Sequence, residues 1–181
     1  RVWVITNQKL YRFDRFYDRF HTISLPDSTD GGQMNFLPSN DGLVWFRRKQ
    51  GLFRIAPTDS LPVMVSAKVP VPAGREYGFR DSKGRFWFNG CDFLLIRLDL
   101  EKNRLDSFDF NPEGCAHYWF EDPKTGMLWV STWTFGLVEI NPETGERHIY
   151  RSPAECRNIL FHITLFPELT GDRILWCNTM E

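Results

Sequence analysis

Short apolar runs, separated by polar residues, recur along the whole chain. The segments LYRFD at 10–14 and LIRLD at 95–99 place apolar side chains at every second position, as a half-buried β-strand does. The runs RFWFN at 85–89 and MLWVS at 127–131 are rich in aromatic and aliphatic residues, and turn-forming residues bound them. No stretch of useful length has the period of an amphipathic helix. The pattern therefore predicts an all-β protein.

Tryptophan recurs at a nearly fixed interval. A polar turn that ends in glycine precedes the tryptophan strand, as at 81–84 and 122–126, and an alternating strand follows seven or eight residues after the tryptophan. Four short strands in each repeat of about 42 residues predict antiparallel, four-stranded β-propeller blades. Each tryptophan is then expected to anchor the packing between neighbouring blades. The repeat anchors, spaced by 42 residues and finally by 47, are Trp3, Trp45, Trp87, Trp129 and Trp176.

The repeat divides the chain into three complete blades and two partial ones. We predict partial blades at 1–30 and 159–181, and complete blades at 31–72, 73–114 and 115–158. Because propellers typically have about four to eight blades, we expect an open arc of a larger ring. The unpaired strand edges and apolar faces of such an arc favour pairing with the remaining blades or with another copy of the chain.

Charge and cysteine usage exclude several classes of partner and cofactor. The formal net charge of −1 gives no reason to expect binding to nucleic acid or to an anionic membrane. No apolar run approaches the roughly 20 residues that cross a bilayer, so we expect no membrane insertion by this segment. The cysteine spacing contains no C-x-x-C pair, so neither a zinc site nor another cofactor is expected. Buried free thiols are favoured, with one or two disulfides left open, for Cys91, Cys115, Cys156 and Cys177.

One copy of the repeat has a more specific pattern than the others. The segment EDPKTGMLWVSTWTFGLVEINPETGERHIY at 121–150 combines a polar turn, a tryptophan strand, a Gly-Leu step and a strand that ends in Asn-Pro-x-Thr-Gly. In this combination the chain resembles the two-component regulator propeller repeat. The resemblance extends over nearly the whole chain as degenerate copies. Arg47 and Arg48 stand where the family favours small residues, and Phe93-Leu94 replaces the Gly-Leu step.

The resemblance implies a sensor rather than an enzyme. Repeats of this family usually build propellers in the extracytoplasmic half of hybrid sensor histidine kinases, where they commonly sense carbohydrates. The family therefore implies a periplasmic or extracellular segment of a membrane-anchored parent, which passes ligand occupancy to a kinase outside this chain. The implied partners are an oligosaccharide or another small soluble ligand, together with the remaining blades or a second copy of the chain.

Polar residues at the starts of the first strands form the first candidate site. The first strands of the blades align on one apolar residue each: Phe36, Phe79, Phe120 and Leu165. Because the first strands of propeller blades line the central channel, polar residues at one aligned position are expected to converge near one mouth. Those residues are Gln33, Glu76, His117 and His162. They are not a tight set of metal ligands, so we predict a ligand surface and no metal.

Aromatic and basic residues extend this candidate surface. Trp119, in the first strand, and Trp133, in the loop after a tryptophan strand, offer faces on which sugar rings stack, whereas Tyr118 is expected in the core. Arg75 and Arg80 are candidates to clamp a carboxylate or sulfate, and the basic loop 47–49 is expected to be solvated. The predicted ligand-binding set is Arg75, Glu76, His117, Trp119, Trp133 and His162.

The carboxylates give little support for catalysis. Acidic residues recur at the blade turns, where we expect them to shape the chain reversals, because a catalytic pair needs to occur only once: Asp41, Asp81 and Asp122. The sequence has no nucleophile elbow, phosphate-binding loop or zinc-protease motif. Two alternatives stay open. One is a purely structural or dimerising segment, and the other is a propeller enzyme acting on polysaccharide through Glu76, Glu121 or His117.

Overall fold

The computed structural model is built of β-strands alone in the part of the chain that it describes. The described residues are 2–6, 9–25, 34–37, 39, 41–48, 50–67, 77–89, 94–109, 116–132, 136–150, 165–167 and 175–177. The described residues form no helix, and therefore no helix that could cross a membrane. The four predicted boundaries between blades, and Cys91, Cys115 and Cys156, lie outside the described residues.

The first compact unit, Arg1–Val71, contains two antiparallel sheets. The first sheet has three strands in chain order: β1 (Trp3–Ile5), β2 (Leu10–Asp14) and β3 (Arg19–Ile23). The second has four strands in chain order: β4 (Asn35–Leu37), β5 (Val44–Arg48), β6 (Gly51–Ile55) and β7 (Val63–Ser66).

The second compact unit, Pro72–Glu181, contains three further antiparallel sheets. One four-stranded sheet comprises β8 (Tyr77–Arg80), β9 (Phe86–Asn89), β10 (Leu94–Asp99) and β11 (Arg104–Asp109). The next comprises β12 (Ala116–Glu121), β13 (Leu128–Thr132), β14 (Leu137–Ile140) and β15 (Arg147–Tyr150). A two-stranded sheet pairs β16 (Leu165–Pro167) with β17 (Leu175–Cys177). Sheets of sequential antiparallel strands that follow the sequence repeat are propeller blades, so the predicted fold class is confirmed.

Each unit has its own apolar core, formed where the faces of its sheets meet. In the first unit Leu10 from β2 packs with Phe46 and Phe53, whose rings stack across β5 and β6 with centroids 5.5 Å apart. In the second unit fully buried Trp87 of β9 packs with Val130 and other residues of β13 and β14. Within each unit, alternation along the strands whose side chains are described places apolar faces of neighbouring sheets together, as the sequence pattern requires.

The repeated acidic turns fix the repeated tryptophans. The indole Nε1 of Trp45 donates to Asp41 Oδ2 at 2.8 Å, and the indole Nε1 of Trp87 donates to Asp81 Oδ2 at 2.9 Å. Each carboxylate also accepts backbone N–H groups of its own turn. These hydrogen bonds explain why a carboxylate precedes the tryptophan: it satisfies a polar group that the packing of the large ring would otherwise bury unpaired.

A repeated arginine joins neighbouring blades within each unit. Arg12 lies opposite Trp3 in the β1–β2 ladder, and its Nη1 donates to the Pro57 carbonyl in the β6–β7 turn at 2.7 Å. Arg97 lies opposite Trp87, and its Nη1 donates to the Pro142 carbonyl in the β14–β15 turn at 2.6 Å. Each guanidinium also lies over the ring of its tryptophan. The same arginine therefore stacks on one blade and hydrogen-bonds to the next.

Candidate functional site

The predicted ligand-binding residues differ in how far the structure describes them. Arg75, Glu76, Trp133 and His162 lie outside the described residues. His117 lies on β12, where only the backbone is described. The repeat anchors Trp45 and Trp87 are buried, Trp3 and Trp129 are half-buried, and Trp176 lies on β17. Trp119 is therefore the member of the ligand-binding set whose side chain can be placed.

Trp119 packs between two blades. Its ring is nearly parallel to that of Phe79 on β8, with an interplanar angle of 3° and centroids 6.4 Å apart. Both rings are partly buried against the apolar core of the second unit. The indole Nε1 of Trp119 is buried and has no hydrogen-bond partner among the described residues. Trp119 thus combines a core contact with a polar group whose burial is unfavourable unless it finds an acceptor.

Strand pairing shows that the alignment of the first strands was wrong in two blades. The residues opposite the tryptophans are Phe79 and Phe120, as assumed, but Leu37 and Phe166 replace Phe36 and Leu165 in the other two blades. Because a shift of one residue reverses every side chain, the register does not support grouping Gln33 and His162 with Glu76 and His117. Strand pairing therefore does not support the alignment from which the ring of four polar residues was predicted.

A β-bulge also changes which faces the residues of β12 occupy. Ala116 pairs with Thr132 and Trp119 pairs with Val130, so two residues of β12 lie opposite Ser131 alone. The Tyr118 N–H donates to the buried Ser131 Oγ at 3.1 Å. Tyr118 is 45% exposed, so its expected place in the core was wrong. Simple alternation does not hold across the bulge and does not assign His117 and Trp119 to one face.

The basic segment 47–49 is predicted to be a solvated loop, and the structure contradicts this for Arg47 and Arg48, whereas Lys49 lies outside the described residues. Arg47 and Arg48 are the last residues of β5 and are only 6% and 2% exposed. Burial lowers the pKa of Arg47 to about 10, because desolvation disfavours the charged guanidinium. The strand continues through both arginines because they pair with Leu52 and Gly51 in the β5–β6 ladder. Arg80, proposed as an anion clamp, lies over the ring of Phe86.

The acidic residues that can be placed hold blades and turns together. Both carboxylate oxygens of Glu121 accept hydrogen bonds at 2.6 Å, one from the Ser82 N–H and the other from the Ser82 hydroxyl. Glu143 accepts from Arg85 Nη1 at 2.9 Å and from Lys83 Nζ at 2.8 Å. The Lys83 hydrogen bond and the Arg85 interaction lower the pKa of Glu143, while partial desolvation opposes them. In the described residues, no group of three or more His, Cys, Asp or Glu side chains could hold a metal ion.

The structure reveals a second candidate site that the sequence reasoning missed. A cleft of about 430 Å³ lies between the β2–β3 turn and the β6–β7 turn of the first unit. Its lining includes Arg12, Arg15, Phe16 and Thr58. The available signal was the turn RFYD at 15–18, which carries two aromatic residues where small turn-forming residues are usual. A turn with large exposed rings is a stronger indication of binding than a strand with buried ones.

The fold is shared with extracellular domains of bacterial two-component regulators. The extracellular domain of the Bacteroides thetaiotaomicron hybrid two-component system BT3049 matches with a TM-score of 0.70 and 15% identity over 98% of this chain. The corresponding domain of BT4673 from the same organism matches with a TM-score of 0.67 and 16% identity over 97% of the chain. The chain spans about a quarter of these domains, 25% of one and 24% of the other. The similarity predicted from the repeat is therefore confirmed at the level of the fold.

An enzyme also shares the fold. Virginiamycin B lyase from Staphylococcus aureus, in a catalytically inactive form with quinupristin, matches with a TM-score of 0.62 and 15% identity. The match covers 87% of this chain and 53% of the lyase. No protein-family model matches the sequence, and no curated protein matches it. At these identities the shared fold does not decide between sensing and catalysis, so the site must decide.

Proposed function

We propose that this chain is a segment of the ligand-sensing extracytoplasmic region of a bacterial two-component regulator, and that its ligand is a carbohydrate. The observation that carries this proposal is the match of nearly the whole chain to two extracellular domains of hybrid two-component systems. The motif at 121–150 supports it independently, because it resembles the propeller repeat of that class of regulator. The chain binds ligand, and a histidine kinase elsewhere in the parent responds.

The location and the partners follow from this role. The chain works in the periplasm or outside the cell, as part of a parent anchored in the membrane. Its neighbours there are the remaining blades of the parent or a second copy of the chain. Ligand binding changes the geometry between these neighbours, since a ligand shifts a conformational equilibrium only when it binds one state more tightly.

The proposed ligand surface retains the residues selected from the sequence. Trp119 contributes a half-buried ring, whose indole Nε1 is buried and finds no hydrogen-bond partner among the described residues. The exposed part of this ring offers an apolar surface to a sugar ring, whose faces are apolar and whose rim carries hydroxyls. The other members of the set are selected from the sequence alone, His162 without the support of the first-strand alignment, which the pairing of β16 with β17 contradicts: Arg75, Glu76, His117, Trp133 and His162.

The engaged carboxylates favour a non-enzymatic role over catalysis. Glu121, a candidate catalytic acid, uses both oxygens to bind Ser82 of the neighbouring blade. Asp81 is buried and committed to Trp87 and to its own turn. These structural hydrogen bonds leave both carboxylates poorly placed to serve as a general acid or base. Of the residues considered for a propeller enzyme, Glu76 and His117 therefore remain.

A thermal-shift screen of the purified chain tests the proposal. Neutral and acidic oligosaccharides from plant and microbial polysaccharides are added separately, and the melting temperature is recorded with the mass in solution. A ligand that binds only the folded chain stabilises it by about 2.7 kcal/mol at a concentration of 100 times its Kd. We expect one glycan class to raise the melting temperature and the others to leave it unchanged.

The screen also separates the alternatives. A folded chain that responds to no glycan in the panel contradicts the proposal and favours a purely structural or dimerising segment. The enzyme alternative is tested on the same mixtures by mass spectrometry of the added oligosaccharides. Shortened or unsaturated products would establish a propeller enzyme, and the Glu76→Gln variant would then have to lose product formation while keeping the melting temperature of the wild type.

A further inference from the structure

The turn between β2 and β3 exposes large aromatic side chains. Phe16 is 85% exposed and Tyr17 is 61% exposed, and their rings meet edge to face with centroids 4.8 Å apart. Phe13 and Phe20, which are cross-strand partners, continue the aromatic surface with centroids 5.0 Å apart. We call residues 10–23 the aromatic hairpin. Exposed apolar area of this extent is unfavourable in water and typically marks a binding surface.

Hydrogen bonds hold the aromatic hairpin in one conformation. Asp14 Oδ1 accepts the backbone N–H groups of Phe16 at 2.8 Å and of Tyr17 at 3.2 Å. These bonds lower the pKa of Asp14, the Tyr17 bond most, so the carboxylate stays charged at neutral pH. Asp18 adopts the left-handed conformation with φ 49°, and the Arg19 guanidinium lies 5.0 Å from the centroid of the Tyr17 ring. A platform ordered in advance loses little entropy on binding.

Polar groups lie beside the exposed rings. The cleft of about 430 Å³ brings Phe16 and Arg15 of the aromatic hairpin together with Thr58 of the β6–β7 turn. Its wall at Arg12 is fixed, because Arg12 Nη1 donates to the carbonyls of Pro57 at 2.7 Å and Asp59 at 3.2 Å. The volume falls within the range of about 300–1,000 Å³ found for small-molecule sites. The cleft therefore offers an apolar face beside hydrogen-bonding groups.

The charges around the cleft nearly balance. The two turns and their strands carry four arginines and three aspartates, namely Arg12, Arg15, Arg19, Arg54, Asp14, Asp18 and Asp59. One excess positive charge gives an anionic ligand little long-range attraction, whereas a neutral polar ligand needs none. This near balance favours an uncharged sugar over a uronic acid or a sulfated one.

We propose that the cleft beside the aromatic hairpin binds a neutral oligosaccharide, one sugar ring of which stacks on Phe16 while its hydroxyls bond to Arg15 and Thr58. This site rests on the proposed carbohydrate-sensing function and adds to it a location on the first unit and a ligand class. It differs from the surface selected from the sequence, which includes Trp119 on the second unit.

Isothermal titration calorimetry with matched variants tests the site. The probes are neutral hexasaccharides of xylose, arabinose, mannose and glucose, and the chains are the wild type, Phe16→Ala and Tyr150→Ala. Tyr150 is also an exposed aromatic residue of a blade hairpin, and it lies in the other unit. We expect Phe16→Ala to raise the Kd about five- to tenfold, and Tyr150→Ala to leave it unchanged, because one aromatic contact contributes about that much. Added sodium chloride should leave the Kd unchanged, since the ligand is neutral.

Each other outcome overturns the inference in a recognisable way. If a hexasaccharide binds all three chains equally, the aromatic hairpin is not the site, although the sensing function stands. Loss of binding in Trp119→Phe but not in Phe16→Ala would place the sugar on the second unit. If the wild type is a dimer and Phe16→Ala is a monomer, the hairpin is a subunit interface. If no hexasaccharide binds the wild type, both the site and its neutral-sugar ligand are wrong.

Discussion

Replacing the Asp81 carboxylate should weaken the second unit strongly, because four hydrogen bonds end on this one side chain. The Asp81 side chain is 0% exposed. Its Oδ1 accepts the N–H groups of Lys83 at 3.1 Å and Arg85 at 2.9 Å. Its Oδ2 accepts the Arg85 Nε at 2.7 Å and the Trp87 Nε1 at 2.9 Å. Asp81→Ala therefore leaves a buried indole N–H and a nearly buried guanidinium without their main acceptor.

The expected loss follows from these unpaired groups. An unsatisfied buried donor costs about 1–3 kcal/mol, and removing one partner of a buried ion pair costs about 3–5 kcal/mol. Because Glu143 still accepts a hydrogen bond from Arg85, the loss should fall near 3–4 kcal/mol rather than at the sum. Asp41→Ala is the matched control, since Asp41 occupies the same place in the repeat and bonds to Trp45 but is exposed. We expect it to cost about 1 kcal/mol.

Urea denaturation followed by tryptophan fluorescence measures both losses. Hydrogen exchange over residues 41–48 and 81–89 then assigns each loss to its own sheet, which matters because the two aspartates belong to different compact units. The reasoning is refuted if Asp81→Ala costs no more than Asp41→Ala. In that event the hydrogen bonds of the buried turn would add nothing to the packing of Trp87.

Three further predictions concern a glycine, an interblade arginine and an exposed carboxylate. Gly51→Ala should lower the free energy of unfolding by several times the roughly 1 kcal/mol expected for Gly42→Ala. Both glycines have positive φ, but only at Gly51 would a Cβ meet the Ser66 carbonyl oxygen, so equal melting temperatures of the two variants would contradict this. Arg97→Ala should lower the free energy of unfolding, measured in urea, by about 2–3 kcal/mol. Arg97→Lys should recover less than half of that loss, because one ammonium cannot serve both the Pro142 carbonyl and Asp106. Full recovery by lysine would be inconsistent with the double contact. Lys83 and Arg85 lower the pKa of Glu143 below its ordinary value of 4.5. The charged Glu143 side chain therefore contributes fully to stability above pH 4.5, and this contribution is lost as the pH falls through the lower pKa of the folded state. The melting temperature of Glu143→Gln should accordingly fall less steeply with acid than that of the wild type, and parallel curves would contradict the assignment.

The repeat and the class of fold could be predicted because each blade contains its own local signals. Spaced tryptophans, acidic turns and alternating strands occur within one blade, so the sequence alone displays them. The role of the turn acids followed from their recurrence, and the Asp41–Trp45 and Asp81–Trp87 hydrogen bonds agree with it. Local chemistry was therefore sufficient for the fold.

The errors at the candidate site arise from register and from contacts between blades. The segment MNFL at 34–37 is apolar at three of its four positions, so the pattern does not determine whether Phe36 or Leu37 faces the tryptophan. The bulge in β12 inserts a residue that alternation cannot anticipate, which is why Tyr118 was misplaced.

Burial of charged residues was equally hard to predict. Because arginine is seldom buried, nothing in the sequence indicated the low exposure of Arg47 and Arg48. The partners of Glu121 lie 39 residues away in the chain at Ser82, and only the packing of two blades brings them together. The sequence alone therefore suggested solvent for two arginines that are buried, and catalysis for a carboxylate that joins two blades.

Calorimetric titration of the wild-type chain with the oligosaccharide panel tests the central claim most directly, because it measures binding without requiring a change in stability. Carbohydrate sensing predicts saturable binding of one glycan class, with the glycan recovered intact. Absence of binding heat for every glycan, from a chain shown to be folded, would contradict the claim that this segment senses carbohydrate.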